Sequence, residues 1–152
     1  MKTNTVMDKS RLLDTVKNKL LDKIRKFEKL IEDTRTSNND TKSSMGDKYE
    51  TGREMLQQEI NNLQRQLNEA LNQKTLLQKM STETFGKVQN GALVETDKGL
   101  FYIAVSVGEI IFHNQKVMTV SGESPLAKAM AGLIAGQSFS LNNTSQNIKH
   151  IW

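Results

Sequence analysis

The chain contains no cysteine. Disulfides, thiolate metal ligands and cysteine nucleophiles are therefore excluded from the outset. It also lacks any apolar run approaching the ~18 residues of a membrane span, and its N-terminus has no apolar signal core. The expectation is a cytoplasmic protein with no membrane partner. There is no glycine-rich phosphate loop and no nucleophile elbow. Only two histidines are present, His113 and His150, too far apart in sequence to read as a zinc site. At 36% hydrophobic residues, the apolar content is low for one packed globule of 152 residues.

What is present is unevenly distributed. Of the 21 Lys and Arg, 16 fall in residues 1–82, against 12 Asp and Glu there, whereas residues 83–152 carry 5 of each. The net charge of +4 therefore lies on the first half. A solvated helical surface explains such an excess, and so does a partner containing nucleic acid, because Lys and Arg attract phosphates over long range. The composition divides the chain into residues 1–82 and 83–152.

In the first half the apolar residues keep helical spacing. Leu13, Val16, Leu20, Ile24, Phe27 and Ile31 lie three and four apart and form one stripe. The stripe predicts a helix over Lys9–Arg35, about 40 Å long at ~1.5 Å per residue, capped by Asp8 or Ser10. Leu56, Ile60, Leu63, Leu67, Ala70 and Leu77 form a second stripe in a helix over Gly46–Met80. Between them the polar run Thr36–Ser44 has the composition of a loop. The two helices are expected to return on each other as an antiparallel coiled-coil hairpin. Its tip would carry Asp47 and Glu50, which share a face if that stretch is helical. Gly52, unusual inside a helix, is expected to permit a close backbone approach.

Within the stretch SSMGDKYETGREML, the run GDKYE after a first coiled-coil arm resembles the acidic tip of the Gre family of bacterial transcript cleavage factors, which carry an Asp and a Glu three apart at the end of a helical hairpin. The resemblance implies that the hairpin enters the secondary channel of RNA polymerase. There Asp47 and Glu50 would help to hold a catalytic Mg²⁺ beside the 3′ end of backtracked RNA. The chain alone would bind no cofactor, because two exposed carboxylates hold Mg²⁺ weakly. Arg53 and Lys42 are the candidate contacts to RNA phosphate. Lys48 and Tyr49 stand between the two acids, where the family usually has small or apolar residues. That departure sustains a second expectation, a channel binder that modulates the polymerase without stimulating cleavage.

In residues 83–152 the period changes to two. Ala92–Glu95, Leu100–Val105, Glu109–His113 and Lys116–Val120 read as strands separated by Asn- and Gly-bearing turns. Ser124 and Pro125 are a preferred N-cap and first helical residue. Ser138–Leu141 and Gln146–Ile151 read as a final hairpin around Asn142-Asn143. The fold class is α+β, the helical hairpin being followed by a small antiparallel sheet with one short helix. The run SPLAKAMAGLIAGQSFSL, Ser124–Leu141, is similar to the C-terminal signature of the Gre family, which implies an FKBP-like domain. By analogy with FKBP a proline isomerase is a third reading, ranked last because fold does not carry activity. Phe101, Tyr102, Phe112 and Phe139 are expected in the sheet core or at its rim, Met118 and Met130 are expected to pack, and Trp152 is expected to join the core, with the sheet edge or a docking surface as the alternative. The resemblance implies a monomer that is not itself an enzyme and that stimulates the endonuclease of RNA polymerase.

Overall fold

The computed structural model describes residues 8–44 and 50–152, with side chains described for 8–37 and 52–152. Two long helices, α1 (Lys9–Ser44) and α2 (Glu50–Gln78), precede six strands and one short helix. The chain divides into two compact units, Lys19–Thr75 and Met1–Asn18 with Leu76–Trp152.

The unit Lys19–Thr75 holds most of both helices. Asp8 caps the start of α1, its carboxylate accepting from the Arg11 amide at 3.1 Å. Leu20, Ile24 and Ile31 of α1 are buried, as are Ile60, Leu63, Leu67 and Ala70 of α2, while Phe27 is half-buried. Each helix thus buries one stripe and leaves its other faces polar. In a unit made of two helices, each stripe has only the other to cover it. Five residues separate the two elements, so α2 must return along α1.

The polar run Thr36–Ser44 is helical, not a loop as its composition suggests: α1 continues to Ser44. Nothing in it forbids a helix, since neither Gly nor Pro occurs between Lys9 and Ser44. The hydroxyls of Thr34 and Thr36 also find acceptors within the helix, donating to the carbonyls of Leu30 at 2.7 Å and Glu32 at 3.0 Å. The returning helix is assigned from Glu50, and Met45–Tyr49 lie outside the described residues.

The other unit is built on a six-stranded sheet of order β3-β4-β2-β1-β6-β5. Its strands are β1 (Leu93–Thr96), β2 (Gly99–Ala104), β3 (Glu109–Phe112), β4 (Gln115–Ser121), β5 (Ser138–Leu141) and β6 (Thr144–Ile151). Two hairpin turns owe their shape to residues that tolerate positive φ: His113-Asn114 at 51° and 63°, and Asn142-Asn143 at 53° and 64°. The sheet is not wholly antiparallel as expected, because β2 and β4 pair in parallel, Phe101 opposite Met118 and Ile103 opposite Val120. The hairpin β3–β4 makes this possible. It carries the chain out to the sheet edge and back, so that β4 enters beside β2 in the same direction.

Thr119, only 1% exposed, secures that excursion. Its hydroxyl donates to the Gly108 carbonyl at 2.6 Å and accepts from the Val107 amide at 2.9 Å. Thr119→Val keeps the shape but takes the acceptor from the part-buried Val107 amide, while the Gly108 carbonyl keeps its bond from the Thr119 amide at 3.1 Å. We expect it to cost about 2 kcal/mol, read as a lower urea midpoint with an unchanged denaturant slope.

Helix α3 (Pro125–Met130) begins as its sequence indicates, the Ala127 amide donating to the Ser124 hydroxyl at 3.1 Å. Ala127 and Met130 pack with Val94, Ile103, Phe139, Ile148 and Ile151 on one face of the sheet. The opposite face is equally dry: Leu93 and Tyr102 are 0% exposed and Val117 is 1%. Within this unit the apolar residues left to cover it come from the root of the hairpin, where Leu12, Val16 and Leu77 are each fully buried. Burial pushes the Tyr102 hydroxyl up to about 12.

Candidate functional site at the helical turn

The residues singled out from the sequence fall at or beside the interval between α1 and α2. Asp47 lies outside the described residues. Glu50 is the first residue of α2 and Lys42 lies in the last turn of α1, and the side chains of both are outside the described set. Arg53 is half-buried and stands three residues after Glu50, one turn along the same face of α2. A Glu in the first turn of a helix sits where the macrodipole favours negative charge. The donor chemistry suits Mg²⁺, since carboxylates are the hard oxygen ligands this ion takes from proteins, one or two at a time. Among the described residues, no group of three His, Asp or Glu could hold a metal ion.

Gly52 does not serve a close backbone approach, because a Cβ built there would meet nothing within 4 Å. It is a helical glycine in open space, so Gly52→Ala removes only the excess chain entropy of glycine. We expect a gain of about 1 kcal/mol in stability, visible as a raised thermal midpoint. Just beyond it, Met55, Gln58, Glu59 and Asn62 line a shallow groove along α2. Met55 is 65% exposed, an apolar side chain flanked by two amides and a carboxylate. The apolar pattern gave no sign of this groove because Met55 stands off the buried stripe.

The root of the hairpin carries a constellation that sequence reasoning missed. Lys9, the first residue of α1, is only 3% exposed. Its ammonium donates to the carbonyls of Glu83 and Trp152 and lies 4.4 Å from the ring centroid of Phe85. Desolvation lowers its pKa from 10.5 to about 8. A lysine at the start of an amphipathic helix reads as solvated, and no local signal announces partners 74 and 143 residues away.

Several bland expectations are modified. Met130 is fully buried, but Met118 is 39% exposed and does not pack as expected. Trp152 is half-buried rather than core, stacked on His150 with ring centroids 4.3 Å apart. His113 meets the edge of Phe112. No described helix is long and apolar enough to cross a membrane.

No protein-family model matches the chain. No curated protein matches it either. Solved structures do. The structure of the transcription factor Gfh1 aligns with 89% of this chain and 90% of its own, at 14% identity and a TM-score of 0.39. GreA factor homolog 1 (Gfh1) of Thermus thermophilus aligns over 90% of this chain and 94% of its own, at 15% identity and a TM-score of 0.39. Gfh1 of Thermus aquaticus aligns over 88% and 92%, at 16% identity and a TM-score of 0.36.

Proposed function

We propose that this protein is a Gre-like transcription elongation factor. Its hairpin would enter the secondary channel of RNA polymerase and stimulate cleavage of backtracked RNA. The observation that carries the proposal is the pair of long helices, α1 and α2, separated by five residues, with Asp47 in that interval of the sequence and Glu50 opening α2. A rod of this kind reaches a buried centre that a compact domain does not.

On this reading the polymerase cuts its own RNA and the present chain is not itself an enzyme. Mg²⁺, when bound, supplies an activated water and stabilises the leaving oxygen of the phosphodiester. Asp47 and Glu50 would lend oxygen ligands to that ion only beside the polymerase's own carboxylates, because two exposed acids hold Mg²⁺ weakly. Arg53, and Lys42 across the turn, would neutralise RNA phosphate near its 3′ end. The sheet unit would remain at the channel rim, in the cytoplasm, with one monomer per polymerase.

A second reading is favoured by the cations around the acids. Lys48 lies between them and Arg53 follows one turn after Glu50. Positive charge next to a metal ligand opposes Mg²⁺ binding, which suits a channel binder that modulates the polymerase without cleavage. Copurification with RNA polymerase, followed by a cleavage assay on stalled elongation complexes, tests both. Binding with cleavage supports the first reading, binding without cleavage the second, and absence of binding removes both.

A further inference from the structure

Strands β3 and β4 present two rows of side chains. One row, Ile110, Phe112, Val117 and Thr119, is buried. The alternate row, Glu109, Ile111, Lys116 and Met118, faces solvent, with Ile111 60% and Met118 39% exposed. The register makes this outer row a square. Glu109 stands opposite Met118, and Ile111 stands opposite Lys116. One diagonal, Ile111 to Met118, is therefore apolar, and the other, Glu109 to Lys116, joins opposite charges. Phe101, half-buried, extends the apolar diagonal from β2, where it pairs with Met118. Strand β3 is the edge of the sheet, which leaves this corner uncovered.

We propose that this corner is a contact surface for a second copy of the same chain. A two-fold axis along the apolar diagonal lays Ile111 on Ile111 and Met118 on Met118 of the partner copy. The same axis places each Glu109 on the partner's Lys116. The two sheets then cross at about a right angle, one of the ordinary ways in which sheets pack. The surface is its own complement in shape and in charge, as an isologous contact requires. It carries one charge of each sign and so offers nothing to a polyanion. Its four residues fall well short of the ~1,200 Å² of a stable complex. The association is consequently weak, and a monomer remains free to bind another protein. This inference rests on the sheet alone and is independent of the proposed role at RNA polymerase.

The test is sedimentation equilibrium on the full chain across a wide concentration range at low salt. The expected result is a reversible monomer–dimer equilibrium that Ile111→Ser abolishes. Glu109→Lys and Lys116→Glu should each weaken it roughly tenfold, equivalent to about 1.4 kcal/mol, and the double charge exchange should restore it. The three positions changed are exposed, and circular dichroism checks that each variant keeps the fold. A monomer at every concentration overturns the proposal. So does a dimer that the double exchange fails to restore. A strictly monomeric chain whose polymerase affinity falls with Ile111→Ser would assign the corner to the polymerase instead.

Discussion

Asp47→Asn and Glu50→Gln are each expected to abolish stimulated RNA cleavage while leaving affinity for RNA polymerase unchanged. Both substitutions preserve size and remove charge. If the carboxylates serve only as ligands to an ion held jointly with the polymerase, loss of either leaves the shared site short of one hard oxygen donor. A transition-state contribution of about 3–4 kcal/mol corresponds to a fall of 10²–10³ in rate. Binding should not change, because the proposed docking energy comes from elsewhere on the molecule. The measurement is the rate at which stalled elongation complexes shorten their RNA, with polymerase affinity read in parallel. Raising Mg²⁺ should partly rescue either single variant if metal capture is the step lost. Equal cleavage by the wild type and the double variant would refute the role of the pair. Binding with no cleavage even by the wild type would favour the modulating role and give Lys48 its explanation.

The second large effect is expected at the root of the hairpin. Lys9→Ala removes the cation shared by the Glu83 and Trp152 carbonyls and the contact with Phe85. The Trp152 carbonyl keeps a second bond, from the Leu93 amide at 3.2 Å. We expect a loss of about 2–3 kcal/mol, from a carbonyl left unpaired, a lost cation–π contact and lost packing of the aliphatic stem. Lys9→Met keeps the stem and should cost less. The pH dependence has a definite sign. With a folded pKa of about 8 against 10.5, the folded state binds fewer protons than the unfolded state between those values. The penalty for burying the charged amine is therefore full below about pH 8 and is relieved as pH rises toward 10.5. Denaturation of the wild type and Lys9→Met at pH 7 and pH 10 should show the difference moving in favour of the wild type at the higher pH. An unchanged difference would mean that the amine is not desolvated.

Much of this fold was legible in the sequence because its cues are local. The stripes from Leu13 to Ile31 and from Leu56 to Leu77 define α1 and α2, and Ser124-Pro125 marks the start of α3. Asn142-Asn143 announces the last hairpin, since positive φ at two consecutive residues suits Asn. The misreadings have equally physical causes. Thr36–Ser44 is polar, but polarity alone does not end a helix, and the Thr36 hydroxyl donates to the Glu32 carbonyl one turn back. The parallel pairing of β2 with β4 is a long-range choice that turn chemistry does not encode. A methionine in a strand carries no label for its face, and Met118 lies on the exposed side because its neighbours Val117 and Thr119 point inward. Lys9 was invisible as a structural cation because its partners lie at the far end of the chain. At the turn, the sequence names Asp47 and Glu50 through the resemblance, whereas Arg53 and Gly52 gained their settings from the helix that holds them.

The central claim is that the turn between α1 and α2 reaches the RNA 3′ end inside the polymerase, and proximity is its most direct measure. Replacing Tyr49 with a photoreactive phenylalanine analogue puts a short-range probe between the two acids. Irradiated in complex with backtracked polymerase, it is predicted to crosslink to the terminal nucleotides of the RNA, whereas a probe at Ser140 of the sheet is not. Crosslinks from position 49 confined to the outer surface of the polymerase, in complexes where the protein is demonstrably bound, would contradict the account.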